Sequence, residues 1–247
     1  MKILVAISKV PDTTAKITFK EGNTVFNEEG VQGIINPYDE WYALVRAIEL
    51  KEAAPDTILH LITVGDNSTD PILRKALALG GDEAIRINIK PTDSYSVASQ
   101  IAAVAKEGGY DLILTGKETI DYNDASVPGI LAELLDLPFV PVATKLTIEG
   151  DKATVVKEIE GGEQTEAGQF PLVISCAKGM AKQRMPNIRN VMAARTKPIK
   201  VVEPVGVDLL TETVLFELPA AKSGVKLVEA GQEEELVRLL HEEAKVI

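Results

Sequence analysis

The chain has 247 residues, 45% of them hydrophobic and 4% aromatic, and its 37 acidic and 26 basic side chains leave a formal net charge of -11 at pH 7. This length suffices to bury a core without disulfides, and the acidity argues against binding to nucleic acid or to an anionic membrane surface. Cys176 has no second cysteine to pair with, and no apolar run approaches the roughly 20 residues of a membrane span. We therefore expect a soluble cytoplasmic protein without direct membrane insertion.

Short apolar runs alternate with segments of helical spacing along the first 135 residues. Continuous apolar runs of strand length are typical of strands buried on both faces. These runs are residues 3–7, 58–64, 84–89 and 111–115. Apolar residues at helical spacing form three stripes, which begin at Trp41, Val97 and Val127. The alternation predicts an α/β fold with an open parallel sheet.

Beyond residue 140 the pattern changes. Residues 144–162 read as a β-hairpin that turns at Glu149–Asp151, and residues 170–177 read as one more buried strand. We predict that one α/β domain spans residues 1–202 and that residues 203–247 form an arm.

The predicted arm has little apolar patterning until its final helix. That helix carries Leu236, Leu239 and Leu240 on one face, and Glu233 to Glu235 lie favourably at its N-terminal end. An arm of this kind either packs back onto its own domain or lies on another molecule. The pattern of residues leaves both interpretations open.

Candidate catalytic groups are few. His60 lies within an apolar strand, His241 on an acidic terminal helix and Cys176 in a buried strand, so structural roles are expected for all three. The chain also lacks metal-ligand spacing, a Walker loop, a nucleophile elbow and a glycine-rich dinucleotide fingerprint. We predict no catalytic residue, no metal site and no enzymatic activity of the chain by itself.

The strongest binding signal is the polar loop, residues 116–127, which follows the apolar run 111–115. Ligands of open parallel sheets bind beyond the carboxyl ends of the strands, and loops at this position usually have about two to six residues. Asp124 or Ser126 could cap the next helix, whose N-terminus would then face a phosphate, and Lys117 could add a positive charge. The loop favours nucleotide contact, with a long solvated connection as the alternative.

A second unusual feature is electrostatic, because no Asp or Glu occurs between residues 167 and 202. The basic residues of this segment are Lys178, Lys182, Arg184, Arg189, Arg195, Lys197 and Lys200. These charges either pair with carboxylates elsewhere on the chain or dock an acidic partner or cofactor phosphates. Met185, next to Pro186, adds a flexible apolar side chain of the kind found at adaptable interfaces.

Six segments, in order and over nearly the whole chain, resemble the β (small) subunit of electron transfer flavoproteins. They are ILVAISKVPD, INPYDEWYALVRAIELKE, LRKALALGGDEAIRI, YDLILTGKETIDYND, VVKEIEGGEQTEAGQFPLVIS and MPNIRNVMAARTKPIKVVEP. The resemblance implies a three-layer domain of the adenine-nucleotide-hydrolase-like (HUP) type, with a β-hairpin and a C-terminal arm that embraces an α subunit. It also implies a heterodimer that carries electrons from acyl-CoA and other dehydrogenases to a membrane quinone oxidoreductase. FAD would be held mainly by the α subunit, and AMP by the β subunit.

The resemblance further implies a set of nucleotide contacts. These are Ala6, Asn36, Pro37, Tyr38, Asp39, Val64, Gly116, Lys117, Glu118, Thr119, Ile120, Asp121, Tyr122, Asn123, Asp124, Ala125, Ser126 and Val127. AMP-binding members carry Asn-Gln-Thr-Gly where this chain has Ala125 to Pro128. Three possibilities therefore stay open for this site: AMP, another nucleotide such as a second FAD, or no ligand.

One segment of this chain resembles the family's partner-recognition loop, with Met185 as the apolar anchor. It comprises Arg184, Met185, Pro186 and Asn187. Glu158 resembles the family's acidic residue that faces the mobile flavin domain. Two alternatives stay open: a flavin-bifurcating variant with a second FAD in this subunit, and a freestanding adenine-nucleotide-binding module like the universal stress proteins. The latter carry several glycines in the loop after the fourth strand, whereas here no glycine follows Gly116 until Gly129.

Overall fold

The computed structural model describes residues 1–221 and 224–247, so Lys222 and Ser223 of the predicted arm lie outside the described residues. In chain order the strands are β1 (Lys2–Ala6), β2 (Lys9–Pro11), β3 (Phe19–Lys20), β4 (Val25–Phe26), β5 (Gly33–Ile35), β6 (Ile58–Val64), β7 (Glu83–Ile87), β8 (Leu112–Gly116), β9 (Phe139–Glu149), β10 (Lys152–Ile159), β11 (Gly162–Gln169), β12 (Leu172–Cys176) and β13 (Ile199–Val202). The helices are α1 (Asp39–Ala53), α2 (Asp70–Leu79), α3 (Ser94–Gly108), α4 (Val127–Leu135), α5 (Ile188–Ala194) and α6 (Glu233–Arg238). A 3₁₀ turn at Asn67–Thr69 precedes α2, and a π-helical turn at Leu239–Ala244 follows α6.

The central sheet has the strand order β11-β10-β9-β12-β8-β1-β6-β7-β13. All neighbours from β9 to β13 along this order are parallel, whereas β9, β10 and β11 form an antiparallel meander. From β1 the chain moves outward to β6 and β7, and then returns to β8 on the other side of β1. The strand order therefore reverses between β1 and β8, which is where ligands bind in folds of this kind.

Both faces of the sheet are covered by helices. Ile3 and Val5 of β1 belong to the hydrophobic cluster that also contains residues of α1 and α2. Leu4, from the other face of β1, belongs to a second cluster with residues of α3 and α4. Because successive strand residues point to opposite faces and both faces are buried, the central strands carry continuous apolar runs. The predicted α/β class, its buried strands and its three helical stripes are confirmed.

The sequence did not predict the short strands β2 to β5, strand β11, helices α2 and α5, or the edge strand β13. The β-hairpin proves to be a three-stranded meander, because β11 pairs with β10 along its whole length. Most side chains of β11 are polar and exposed, so apolar periodicity could not mark it as a strand. Helix α2 and the edge strand β13 were also missed, although Ile72, Leu73 and Leu77 of α2 are buried.

Polar contacts and one aromatic stack attach the arm to the domain. The side-chain amide of Gln100 donates to the carbonyl of Val205 (2.7 Å) and accepts from its N–H (2.9 Å). The N–H groups of Leu210 and Thr211 donate to the Asp93 carboxylate at 2.7 and 3.0 Å. Phe216 stacks on Phe19 with 4.9 Å between ring centroids. The first part of the arm is therefore anchored mainly through its backbone.

The apolar side chains of the arm are largely exposed. They include Leu209, Leu210, Val214, Leu215, Leu218, Val225, Leu227, Leu236 and Val237. Leu239, in the turn after α6, is buried. The arm thus follows its own domain without burying most of its apolar groups there. Within residues 1–221 and 224–247, no helix is both long enough and apolar enough to cross a bilayer.

Candidate functional site

The carboxyl ends of β1 and β8 and the start of α1 meet where the strand order reverses. β1 ends at Ala6, β8 ends at Gly116, and the segment Asn36–Tyr38 leads into α1. The backbone of Gly116 approaches α1 so closely that a Cβ built there would lie 2.9 Å from the Glu40 backbone nitrogen. Tight packing of β8 against α1 thus brings the two main predicted segments, residues 36–39 and the polar loop, to one crevice.

Asn36 fastens the polar loop to this crevice. Its side chain is buried. The side-chain Nδ2 donates to the carbonyl of Glu118 (2.8 Å), and Oδ1 accepts from the N–H of Ile120 (3.2 Å). Because both ends of the amide are engaged with the loop backbone, Asn36 determines where residues 118–120 lie.

The second half of the polar loop adopts an unusual backbone. Asn123 and Ala125 have φ values of 53° and 52°, in the left-handed region. Ser94 donates its hydroxyl to the Asp124 carboxylate, which ties the loop to the first turn of α3. Ser126 occupies the predicted position before α4, and Pro128 lies in the first turn. The Ser126 hydroxyl, however, donates to the Asp124 carbonyl (3.0 Å) instead of capping the helix.

The charge that Lys117 brings to the crevice is largely compensated. Its ammonium group lies 2.8 Å from the Glu118 carboxylate, and that hydrogen bond is the main cause that raises the pKa of Lys117. Burial raises the pKa of the nearby Asp39 carboxyl, and the charge of Lys117 only partly offsets this effect. Carboxylates accept hydrogen bonds from hydroxyl groups, so this part of the crevice is suited to a ribose more than to a phosphate.

A buried carboxyl group, Glu40, lies beside Gly116 at the crevice, and its burial was not predicted from the sequence. The backbone N–H of Ser8 donates to Glu40 Oε2 (2.7 Å), and the Ser8 hydroxyl donates to Oε1. Burial raises the pKa of Glu40 to about 8, the bonds from Ser8 oppose this shift, and the charges of Asp121 and Asp39 add to it. Glu40 thus joins the segment after β1 to the start of α1.

The raised pKa of Glu40 predicts how the free energy of unfolding depends on pH. The folded chain binds this proton more tightly than the unfolded chain, so the free energy of unfolding should fall as pH rises from 4.5, the ordinary pKa of a glutamate, to about 8. A shift of this size corresponds to about 5 kcal/mol. Urea unfolding at pH values below and above this window measures the effect.

Replacement of Glu40 by glutamine keeps the side-chain volume and removes the titrating group. The Glu40→Gln variant should lose most of this pH dependence, while the exposed control Glu107→Gln should retain it. An unchanged pH profile in Glu40→Gln would show that Glu40 is ionised in the folded protein throughout the window.

Two grooves are lined in part by residues of the arm. Val64, at the end of β6, lines a groove of about 320 Å³ with Ser96, Val205 and Leu209 among its other walls. A larger groove of about 570 Å³ runs between α3, α4 and the arm. Val64 therefore lies beside the arm, in addition to its predicted place at the sheet edge.

The basic segment is divided between internal contacts and exposed charges. Arg184 donates to both oxygens of the Glu52 carboxylate (2.8 and 2.9 Å), and the ammonium of Lys197 donates to the carbonyl of Leu77 (3.0 Å). The other five basic side chains are exposed: Lys178, Lys182, Arg189, Arg195 and Lys200. Arg184 thus pairs with a carboxylate elsewhere on the chain, whereas docking of a partner by the exposed charges stays a prediction.

An exposed apolar surface surrounds the predicted anchor. Asn187 caps α5, because its side-chain oxygen accepts from the N–H of Asn190 (2.8 Å). The helix that begins there carries exposed Ile188, Val191 and Met192, and Met185 precedes it. We name these four side chains the α5 surface. Val191 and Met192 share a helix face with Ile188, since they follow it by three and four residues.

The remaining candidate residues, His60, Cys176 and Glu158, lie at separate places in the fold. His60 Nδ1 lies 2.9 Å from the Tyr110 hydroxyl, and burial lowers its pKa. Cys176 is fully buried in β12, and burial raises the pKa of its thiol. Glu158 is exposed near the end of β10, opposite Glu163 of β11. Within residues 1–221 and 224–247 no group of three or more His, Cys, Asp or Glu side chains is arranged to hold a metal ion.

An open sheet covered by helices on both faces, with a polar crevice where the strand order reverses, defines the doubly wound class of α/β proteins. The model of the electron transfer flavoprotein domain family matches residues 23–205 of this chain. The chain therefore belongs to the electron transfer flavoprotein family, and its similarity to curated relatives places it among the β subunits.

Three of these relatives span bacteria, plants and animals. The chain is 37% identical to the electron transfer flavoprotein subunit beta of Bacillus subtilis (strain 168), with 100% of both chains covered. It is 32% identical to the mitochondrial subunit beta of Oryza sativa subsp. indica, again over 100% of both chains. It is 31% identical to the human subunit beta, over 92% of each chain. The family resemblance is confirmed, and membership implies association with flavin, an electron-carrier role and an α-subunit partner.

Several residues that hold the site together were not predicted from the sequence. Ser8 and Glu40 lie in the segments 8–14 and 35–40, which were expected at this edge of the sheet, but they and Ser94 were not among the predicted contact residues. An acidic residue in a first helical turn is normally exposed, so nothing in the sequence indicated that Glu40 is buried. Ile188 and Met192 of the α5 surface were also missed, because a helix of seven residues is too short for its periodicity to be recognised.

Proposed function

We propose that this chain is the β subunit of a cytoplasmic, heterodimeric electron transfer flavoprotein that carries electrons from acyl-CoA and other dehydrogenases to a membrane quinone oxidoreductase. Residues 203–247 embrace the α subunit, which holds most of the FAD. The crevice between β1 and β8 holds an adenine nucleotide. The α5 surface docks the dehydrogenases. FAD supplies the redox chemistry, and this chain positions the flavin domain and the partners.

One observation carries the proposal: the arm is anchored to its own domain mainly through its backbone, while most of its apolar side chains face solvent. Val225 and Leu227 are 87% and 89% exposed. Extended apolar surface of this kind is unusual on a monomer and typical of an interface. A partner that covers the arm would remove this surface from water.

The crevice supports the nucleotide part of the proposal by its chemistry. Asp39, Glu118 and Asp121 offer carboxylate acceptors for ribose hydroxyls, and the start of α4 offers backbone N–H groups for a phosphate. Asn36 holds the loop that carries most of these groups. The same chemistry is compatible with AMP or with the adenosine part of a second FAD.

Co-purification tests the proposal. A tagged form of this chain, produced together with its α subunit, should elute as a heterodimer with a flavin spectrum. Bound compounds are then released and identified by mass spectrometry, with the number of flavins counted by reductive titration. One flavin together with AMP supports the proposed form, whereas two flavins support the bifurcating variant. A stable monomer without flavin would support a freestanding nucleotide-binding module instead.

The proposed docking role predicts the effect of shortening Met185. The Met185→Ala variant should take up electrons from the dehydrogenase about tenfold more slowly, because loss of one interfacial anchor costs on the order of 1–2 kcal/mol. Its flavin content should be unchanged. Stopped-flow reduction by a donor dehydrogenase measures the rate.

Ile58→Ala is a suitable control for this variant. Ile58 is also an exposed apolar residue, but it lies at the amino end of β6, whereas the crevice lies at the carboxyl ends of the parallel strands. Its replacement should leave the uptake rate unchanged. Equal rates for Met185→Ala and the unmodified heterodimer would rule out the anchor role.

A further inference from the structure

The sulfur atoms of this chain are distributed very unevenly between its interior and its surface. The chain contains five sulfur-bearing residues: Met1, Cys176, Met180, Met185 and Met192. Cys176 is fully buried, Met180 is 5% exposed, and Met1 packs partly buried against the main hydrophobic cluster. Met185 and Met192 are 76% and 55% exposed. The two well-exposed methionines thus lie within one eight-residue segment, on the α5 surface.

Reagents that attack divalent sulfur would therefore be directed to one place. Burial keeps the Cys176 thiol away from solvent and in its neutral form, which is the less reactive form toward peroxides. Thioethers do not need to ionise to react, so their exposure decides which of them are oxidised. The fold leaves the thioethers of Met185 and Met192 as the accessible targets.

We propose that Met185 and Met192 form a peroxide-sensitive modification site, at which oxidation to methionine sulfoxide weakens the docking of the electron donor. The reaction transfers one oxygen atom from a hydroperoxide to sulfur: the O–O bond breaks, an S=O bond forms, and the hydroperoxide leaves as an alcohol or as water. Sulfur loses two electrons and the peroxide gains them. Reduced flavin forms hydrogen peroxide with dioxygen, so a flavoprotein operates close to a source of this oxidant.

The loss of docking follows from the change in polarity. A sulfoxide oxygen is a strong hydrogen-bond acceptor, and burial of such a group in an apolar contact without a donor is unfavourable. Met185 and Met192 flank Ile188 and Val191, so their oxidation would place a polar group at both sides of the exposed apolar patch. This consequence rests on the proposed docking role of the α5 surface, whereas the modification itself rests on exposure alone.

The test uses the intact heterodimer and hydrogen peroxide. After treatment, peptide mass spectrometry should show the gain of one oxygen at Met185 and Met192 well before Met180. Electron uptake from the donor dehydrogenase should then fall about tenfold, while reduction of the flavin by dithionite is unchanged. In the double variant Met185→Leu and Met192→Leu, the treated rate should equal the untreated rate of the same variant.

The outcomes separate this inference from the docking proposal. Oxidation at Met185 and Met192 no faster than at Met180 would overturn the modification site, even if Met185→Ala slows electron uptake. Oxidation without any loss of uptake would overturn its regulatory effect. If oxidation occurs as expected but untreated Met185→Ala takes up electrons at the normal rate, the docking proposal fails and the modification site stands.

Discussion

A chain with Val225→Asp and Leu227→Asp is expected to fold normally and to lose its α subunit. Both side chains are almost fully exposed, so their replacement should change the stability of the isolated chain by less than about 0.5 kcal/mol. Two carboxylates placed in an apolar interface would each lose hydration without a partner, so the dimer should dissociate about 100-fold more readily or worse. Size-exclusion chromatography and the FAD content of the co-expressed heterodimer report the loss.

Lys226→Ala is the matched control, because Lys226 lies between the two substituted positions and is itself exposed. It changes the same stretch of the arm without adding charge to the apolar positions. We expect its heterodimer to form normally. If the double aspartate variant also retains a full complement of α subunit and FAD, this part of the arm does not contact the partner.

Gly116→Ala is expected to destabilise the domain by about 3 kcal/mol and to disrupt the crevice. A Cβ at this position would lie 2.7 Å from Cγ of Glu40, 2.9 Å from the Glu40 backbone nitrogen and 3.1 Å from Cβ of Asp39. Backbone in the first turn of α1 cannot move away without disturbing the bonds between Glu40 and Ser8. Overpacking of this kind typically costs roughly 1–3 kcal/mol, and strain on the Glu40 contacts adds to it. The urea unfolding midpoint measures the loss.

For Gly129→Ala, at another glycine near the crevice, we expect a gain in stability instead of a loss. Gly129 lies within α4, and a Cβ there would meet only the Phe139 ring at 3.7 Å, an ordinary van der Waals distance. Alanine should therefore raise stability by up to about 1 kcal/mol through its helix propensity. If Gly116→Ala were as stable as the unmodified chain, β8 and α1 would have to be farther apart than the structure has them.

The predictability of the fold differed between its central and its peripheral elements. Strands β1, β6, β7, β8 and β12 are buried on both faces, and burial imposes an apolar run that can be read directly from the sequence. Strand β11 is held by backbone hydrogen bonds to β10, and backbone pairing does not require any particular pattern of side chains in the sequence. The order of the strands in the sheet could not be predicted either. It depends on which strands pair with each other, and those strands are far apart in the sequence.

The candidate site shows the same division. The polar loop could be recognised, because its length and its hydroxyl, amide and carboxylate groups are unusual after a buried strand. The tie from Asn36 to Glu118 and Ile120 spans more than 80 residues of sequence, so no local pattern announces it. The position of the loop relative to α1 is therefore a tertiary property, although its composition is a local one.

By itself, the sequence determined the class of fold, the family, the segments that carry polar chemistry and the presence of an arm with little core. The class of fold, the polar segments and the sparse apolar patterning of residues 203–247 follow from composition and periodicity, which act over short stretches of chain, whereas the family follows from the resemblance of six segments to known β subunits. Only the tertiary structure decided that the strand order reverses beside the polar loop, that Glu40 is buried against Ser8, and that the two exposed thioethers lie on one apolar surface. Burial and proximity arise when distant segments pack together, so they exist only in the folded chain.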